Sequence, residues 1–192
     1  LLTLMAPGLI GAGVVQINLV VDVILASTLQ EGSVSFLYFA DRVNQLPLGV
    51  IGVAVGVALL PLMTRQLAEG DEAGAAESQN RAIEFALLLT VPATLALVTI
   101  GDPIVRVLFE RGAFDAAATE NTAAALSAFA VGLPAYVLIK ALTPGFFARQ
   151  DTVTPVKIAI AAMVVNVVLA LILMQVLAHV GIALATACSA WM

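Results

Sequence analysis

Arg42 lies inside a long apolar segment, GSVSFLYFADRVNQLPLGVIGVAVGVALLPLM. At helical rise it sits ~13 Å along from Ser33, too deep for easy snorkelling to that surface. A guanidinium does not shed its proton, so its cost must be offset by a water-filled cavity, by an acid or by an anionic ligand. The chemistry that fits is recognition of an anion at membrane depth. Asp41 and Gln45 are four residues apart, Arg42 is adjacent to their face, and Asn44 completes a polar cluster before Pro47. This part of the helix is expected to line an aqueous cavity. The alternative, an Asp41–Arg42 pair closed within the protein, is disfavoured because neighbours on a helix point about 100° apart.

A second polar group, Gln16, Asn18 and Asp22, occupies the first apolar run, with Asn18 and Asp22 on one helical face. Asp22 is deep, and so is either protonated, paired or bound to a cation. Asn166, alone in AAMVVNVVLALIL, and Thr186 carry neutral oxygens that would suit the same cation; hydrogen bonding between helices is the other reading. Lys140, near the end of its span, either snorkels or turns inward to add a second positive charge to the cavity. No nucleophile–base–acid set, phosphate-cradling glycine loop or metal motif appears, so the residues point to transport or binding and not to an enzyme. One His and one Cys exclude a zinc site, and Cys188 reads as a small buried apolar residue.

The elements that must position these residues are membrane helices. The chain is 61% hydrophobic and 11% charged, with a mean hydropathy of +1.07, more apolar surface than one soluble core of this size hides. Apolar runs at 4–29, 33–63, 83–100, 122–143, 155–177 and 181–192 predict an all-α polytopic bundle of about six transmembrane helices in a single domain, 1–192. The last run stops mid-span and no signal peptide opens the chain, which reads as an excerpt of a larger protein cut at both ends. Arg65, Arg81, Arg149 and Lys157 lie in the loops near 64–82 and 146–157, against Arg106 and Arg111 on the other side. The first helix therefore enters from the cytoplasm. The scattered net charge of −5 argues against nucleic acid as a partner.

Within the loops, DPIVRVLFERGAFD predicts a short interfacial helix with Ile104, Val107 and Leu108 on one face, ended by Gly112. Asp115 is expected to cap the next helix, and Thr154 with Pro155 the one after. EGDEAGAAE reads as a solvated turn. Pro7, Pro47, Pro61, Pro92 and Pro134 are expected to bend or break their spans, and Gly49, Gly52 and Gly56 to admit a neighbouring backbone.

Three long strings, SVSFLYFADRVNQLPLGVIGVAVGVALLP, LFERGAFD and TPGFFARQDTVTPVKI, resemble the MurJ/MviN family of lipid II flippases, and the resemblance runs over essentially the whole chain. It implies helices seven to twelve, the second lobe, of a fourteen-helix transporter in a bacterial inner membrane. The implied activity is alternating access that carries the undecaprenyl-pyrophosphate-linked peptidoglycan precursor, lipid II, from the cytoplasmic to the periplasmic leaflet for cell wall synthesis. The implied partners are lipid II, membrane lipids and the first lobe of the same protein.

By the same resemblance Arg42 matches the cavity arginine of the eighth helix, expected to attract the pyrophosphate. Ser35 and Gln45 fall at cavity positions, Gln45 where some relatives carry Glu. Asp22, Asn166 and Thr186 match positions associated in some members with sodium, the one cofactor implied, and Ala170 stands where those members have a further carboxylate. The competing readings are another exporter of the multidrug/oligosaccharidyl-lipid/polysaccharide superfamily, such as a lipid-linked oligosaccharide flippase or a drug/cation antiporter, and a non-transporting scaffold for cell-wall enzymes.

Overall fold

The computed structural model describes the backbone of residues 2–192, and side chains at Gly13 and from Gln16 onward. Its elements are α1 (Leu2–Ser27), α2 (Ser33–Pro47), a π-helical turn (Leu48–Gly52), α3 (Val53–Ala68), α4 (Glu72–Thr99), α5 (Gly101–Phe109), α6 (Ala116–Ala148) and α7 (Val153–Ser189). α2, the π turn and α3 form one continuous span, Ser33–Ala68. It is one of four among the described residues long and apolar enough to cross a membrane, with Glu72–Thr99, Ala116–Ala148 and Val153–Ser189.

α6 is the centre. Its sequence, rich in Ala and Thr with Gly132 in the middle, presents small side chains all round, so neighbouring backbones can approach from several sides. α2, α3, α4, α5 and α7 all pack on it. Leu126, Leu133 and Val137 are fully enclosed there. α1 is peripheral and packs mainly on α7, with Ile17, Val20, Val23 and Ile24 left facing outward.

α7 is a hairpin of two helices. Ala178 breaks it at φ 48°, ψ −131°, and a Cβ at Gly181 would lie 2.4 Å from the Leu173 carbonyl oxygen. Eight residues of straight helix would separate these positions by ~12 Å, so the chain reverses here, as the gap between the fifth and sixth apolar runs predicts. A positive φ at a residue with a Cβ costs ~1 kcal/mol. Ala178→Gly is therefore expected to raise the melting temperature of the full-length parent in detergent by a few degrees; an unchanged or lower midpoint would show that the turn is relaxed as it stands.

The prolines within α3, α4 and α6 do not break their helices. α3, α4 and α6 run through Pro61, Pro92, Pro134 and Pro144 without interruption, and Pro7 lies outside the described side chains. Pro144 has no N–H for the Lys140 carbonyl, and Gly56 of α3 packs close to that oxygen, its site for a Cβ lying 3.5 Å away. At the next two residues, Gln79 Nε2 donates to the carbonyls of Ala141 (3.3 Å) and Leu142 (3.4 Å), tying α4 to α6. Among the described residues, only Pro47 is followed by a change of helical hydrogen bonding, the π turn. Gly52 and Gly56 do admit α6, with the Lys140 stem over Gly52, whereas Gly49 faces open space.

Four local expectations are corrected. EGDEAGAAE is mostly helix: only Glu69, Gly70 and Asp71 lie between α3 and α4, and Asp71 Oδ1 accepts from Gly74 N (2.8 Å) to start α4. α5 buries Gly101 and Val105 against α6 and leaves Val107 and Leu108 exposed on its other side. It ends at Phe109, with Gly112 at φ 61° in the loop beyond. α7 begins before Thr154, since Asp151 Oδ1 accepts from the backbone N–H groups of Val153 (3.1 Å) and Thr154 (3.0 Å). Hydrogen bonds from Thr154 hold the Asp151 carboxyl below the usual carboxylate range, so this cap's contribution is present above 3.8 and is lost as the pH falls through its lowered value. Cys188 is exposed, on the outward side of the short arm of α7. The Asp115 cap is as expected, accepting from Ala118 N at 2.9 Å.

Candidate functional site

The outward face of α2 carries Ser35, Tyr38, Arg42 and Gln45, spaced by three and four residues, and all four are exposed. The opposite face buries Ala40, Val43 and Asn44 against the bundle. Asn44 thus leaves the predicted cavity cluster; it points inward with its Oδ1 unpartnered. Nothing else in the described chain covers the Arg42 face, so it opens away from this bundle.

Arg42 and Asp41 do not pair. Arg42 Nη1 donates to Gln45 Oε1 at 3.2 Å, and Gln45 Nε2 donates to Asp41 Oδ2. Flipping the Gln45 amide would set its N–H against the guanidinium and its oxygen against the carboxylate, so both partners fix its orientation. The guanidinium carbon stands 4.8 Å from the centroid of the Tyr38 ring, within cation–π range. No carboxylate among the described residues forms an ion pair with Arg42; the pairs present are Arg65–Glu69, Arg81–Glu77 and Arg106 with Asp102 and Glu110.

Lys140 is exposed, its stem lying on Gly52 at the seam between α3 and α6. Its head forms no ion pair among the described residues. The structure places it beside the π turn, away from the Tyr38–Arg42–Gln45 group, and shows no contact between the two cations.

The residues singled out on α1 and α7 do meet. Asn166, 1% exposed, donates through Nδ2 to Asn18 Oδ1 (2.9 Å) and Asp22 Oδ1 (3.1 Å). The Thr186 hydroxyl lies 3.4 Å from Asp22 Oδ2 and 3.0 Å from the Ile182 carbonyl, and its single proton serves one at a time. Asn166 and Thr186 come from the two arms of the α7 hairpin, and Asp22 faces them from α1. Asn166 Oδ1 is buried with no partner. Gln16 is exposed and takes no part. Ala170, one turn from Asn166, is fully buried and brings no second carboxylate.

The donor set is one carboxylate with neutral amide and hydroxyl oxygens, one of them orphaned. That fits a hard monovalent cation and falls short of the charge and ligand number a divalent ion requires. Sequence reasoning did not include Tyr136, whose hydroxyl donates to the Thr186 carbonyl at 3.0 Å, or Tyr38. Tyr38 was accessible to it: four residues before Arg42 is the position from which an aromatic ring reaches a guanidinium.

A family model described as "Lipid II flippase MurJ" matches residues 1–192. The chain is 52% identical over 192 residues to a "Probable lipid II flippase MurJ" of Rhizobium tropici and 50% identical over 191 residues to that of Rhizobium meliloti. Each alignment covers 100% of this chain and 36% of the relative, so the chain spans about a third of the length of these proteins. A solved "Lipid II flippase MurJ, inward closed conformation" superposes with a TM-score of 0.88 at 30% identity, over 98% of this chain and 40% of that one. An outward-facing multidrug transporter of the MATE family superposes with a TM-score of 0.85 at 21% identity, over 97% of this chain and 41% of that one, which is likeness of fold.

Proposed function

Because the chain belongs to the MurJ family of lipid II flippases, we propose that it forms one lobe of a transporter carrying a lipid-linked diphosphate, lipid II, from the cytoplasmic to the periplasmic leaflet of a bacterial inner membrane. The observation that carries the reading is Arg42: a permanent cation in an apolar span, on an open polar face, without an acid partner. The substrate's diphosphate supplies the missing negative charge, while its polyprenyl tail stays in lipid. Ser35, Asp41 and Gln45 complete the group around Arg42, whereas Lys140 stands apart from it beside the π turn. Binding offsets the cost of the exposed charge at membrane depth and favours closure against the first lobe, the rest of the longer protein.

The test is replacement of a native flippase by the full-length parent in cells depleted of their own. Restored growth and restored leaflet transfer of lipid II support the proposal. A folded, membrane-inserted parent that restores neither would point to the scaffold or to another cargo.

Asp22, Asn166, Thr186 and Asn18 are the residues that would hold a sodium ion. Such an ion would supply the positive charge that Asp22 lacks and would draw α1 and both arms of α7 together. Sodium should then raise the melting temperature of the full-length parent relative to potassium or choline at equal ionic strength, by a few degrees when the ion is present at about 100 times its dissociation constant. Asp22→Asn should remove that difference; a sodium shift that survives the substitution would place the ion elsewhere.

A further inference from the structure

Resting on the sodium assignment given above, we propose that Tyr136 is a positioning residue for the cation site: from the central helix it sets the short arm of α7 so that the Thr186 hydroxyl meets Asp22. Tyr136 bonds to backbone behind the ligands and not to the ligand oxygens themselves.

Thr186 is held from two sides. Its hydroxyl lies 3.4 Å from Asp22 Oδ2, towards α1, while its carbonyl accepts from the Tyr136 hydroxyl of α6 at 3.0 Å. Gly132 lies one turn before Tyr136 on the same face of α6, and Ala187 packs directly on it. A Cβ at Gly132 would lie 2.7 Å from Ala187 Cα and 3.1 Å from Tyr136 Cε2. Any larger residue there would push the short arm away from α6. Ala183, one turn before Ala187, is fully buried in the same core.

Small residues let two backbones close on each other, but their smooth contact fixes no rotation. The Tyr136 hydroxyl fixes it, because a hydrogen bond has a direction and a length that an alanine contact lacks. A turn of the arm by about 20° about its own axis would carry a side-chain oxygen by more than about 1 Å. That exceeds the tolerance of about 0.5 Å that a binding constellation allows. The Thr186 hydroxyl also has a partner within its own helix, the Ile182 carbonyl at 3.0 Å, so a misplaced arm leaves it bonded there and lost to Asp22. Asn166 needs no such support: it is buried on the long arm and bonded to both Asn18 and Asp22. Thr186 is the ligand whose place depends on α6.

The experiment follows the melting temperature of the full-length parent in detergent as sodium chloride replaces choline chloride at constant ionic strength. The rise of the midpoint with sodium yields the dissociation constant. Wild type is compared with Tyr136→Phe, Gly132→Ala, Asp22→Asn and Gly49→Ala. Tyr136→Phe keeps the ring beside Gly132 and deletes only the hydroxyl. It is expected to weaken sodium binding about three- to tenfold, the effect of one neutral hydrogen bond. Gly132→Ala is expected to weaken it more, and Asp22→Asn to remove the dependence. Gly49→Ala, with open space at its added carbon, should leave it unchanged.

A tyrosine that only stabilises the fold would lower the midpoint equally in choline and in sodium and leave the dissociation constant where it was. That result for Tyr136→Phe overturns this inference while the sodium assignment stands. If Gly132→Ala does not fold, Tyr136→Phe decides alone. A wild type whose midpoint does not respond to sodium overturns the assignment and this inference together.

Discussion

Arg42→Ala in the full-length parent is expected to abolish growth in cells that depend on it, at unchanged membrane abundance, with Arg42→Lys restoring growth in part. The size of the effect follows from what the alanine removes. Charge-assisted hydrogen bonds to a phosphate contribute about 1.5–3 kcal/mol each, so losing a two-pronged contact weakens binding by on the order of a hundredfold or more. Lysine keeps the charge but loses the planar fork, the ring contact's geometry and the Nη1 bond to Gln45. Growth assays at matched expression, with lipid II transfer measured in parallel, check this directly. Normal growth of the alanine variant would mean that the cation on α2 is a structural or redundant charge.

The largest effect on folding is expected at Gly181. A methyl group there would lie 2.4 Å from the Leu173 carbonyl oxygen and 2.8 Å from the Met174 nitrogen, both backbone atoms that cannot swing aside. Gly181→Ala must open the α7 hairpin, at a cost of about 3 kcal/mol. The opening also separates Thr186 from Asn166, so the polar cluster with Asp22 is lost with it. Gly49→Ala is the control, because nothing lies within 4 Å of its added carbon. Thermal unfolding of the full-length parent should show a fall of several degrees for the first and little change for the second. Equal midpoints would mean that the two arms of α7 are not held in this close approach.

How far the sequence could be read depended on contrast between neighbouring residues. Arg42, Asp22 and Asn166 are polar residues within apolar spans, and their positions predicted a cavity face on α2; that Asp22, Asn166 and Thr186 could serve one site was left open, since nothing in the sequence showed that they meet. The structure places Asp22, Asn166 and Thr186 in one cluster. Asp115 was legible as a cap because a carboxylate followed by AAAT has few other uses. Where contrast was lacking the sequence left the outcome open. Val105 and Val107 differ in nothing that a sequence displays, and only the contact with α6 decides that the first is buried and the second exposed. Pro61, Pro92 and Pro134 were expected to bend or break their helices, and none of them breaks one. The bond from Gln45 to Arg42 and the ring contact from Tyr38 depend on rotamers, which spacing permits and does not specify.

The π turn was invisible for the same reason, since LPLGVIGVAVGVALL is apolar on every side and carries no phase. In a regular helix, Gly56, fourteen residues after Arg42, would fall within about 40° of it. The extra residue taken up between Leu48 and Gly52 shifts everything beyond by about 100°, which turns Gly52 and Gly56 onto α6 while Arg42 keeps its open face. Length is therefore a constraint separate from composition along this span. Removing a single residue from 48–52 would leave every side chain chemically suitable, yet would force either the glycines out of the α6 contact or the arginine off the cavity. The change this helix tolerates least is an indel, a one-residue gap that substitution scanning would never sample.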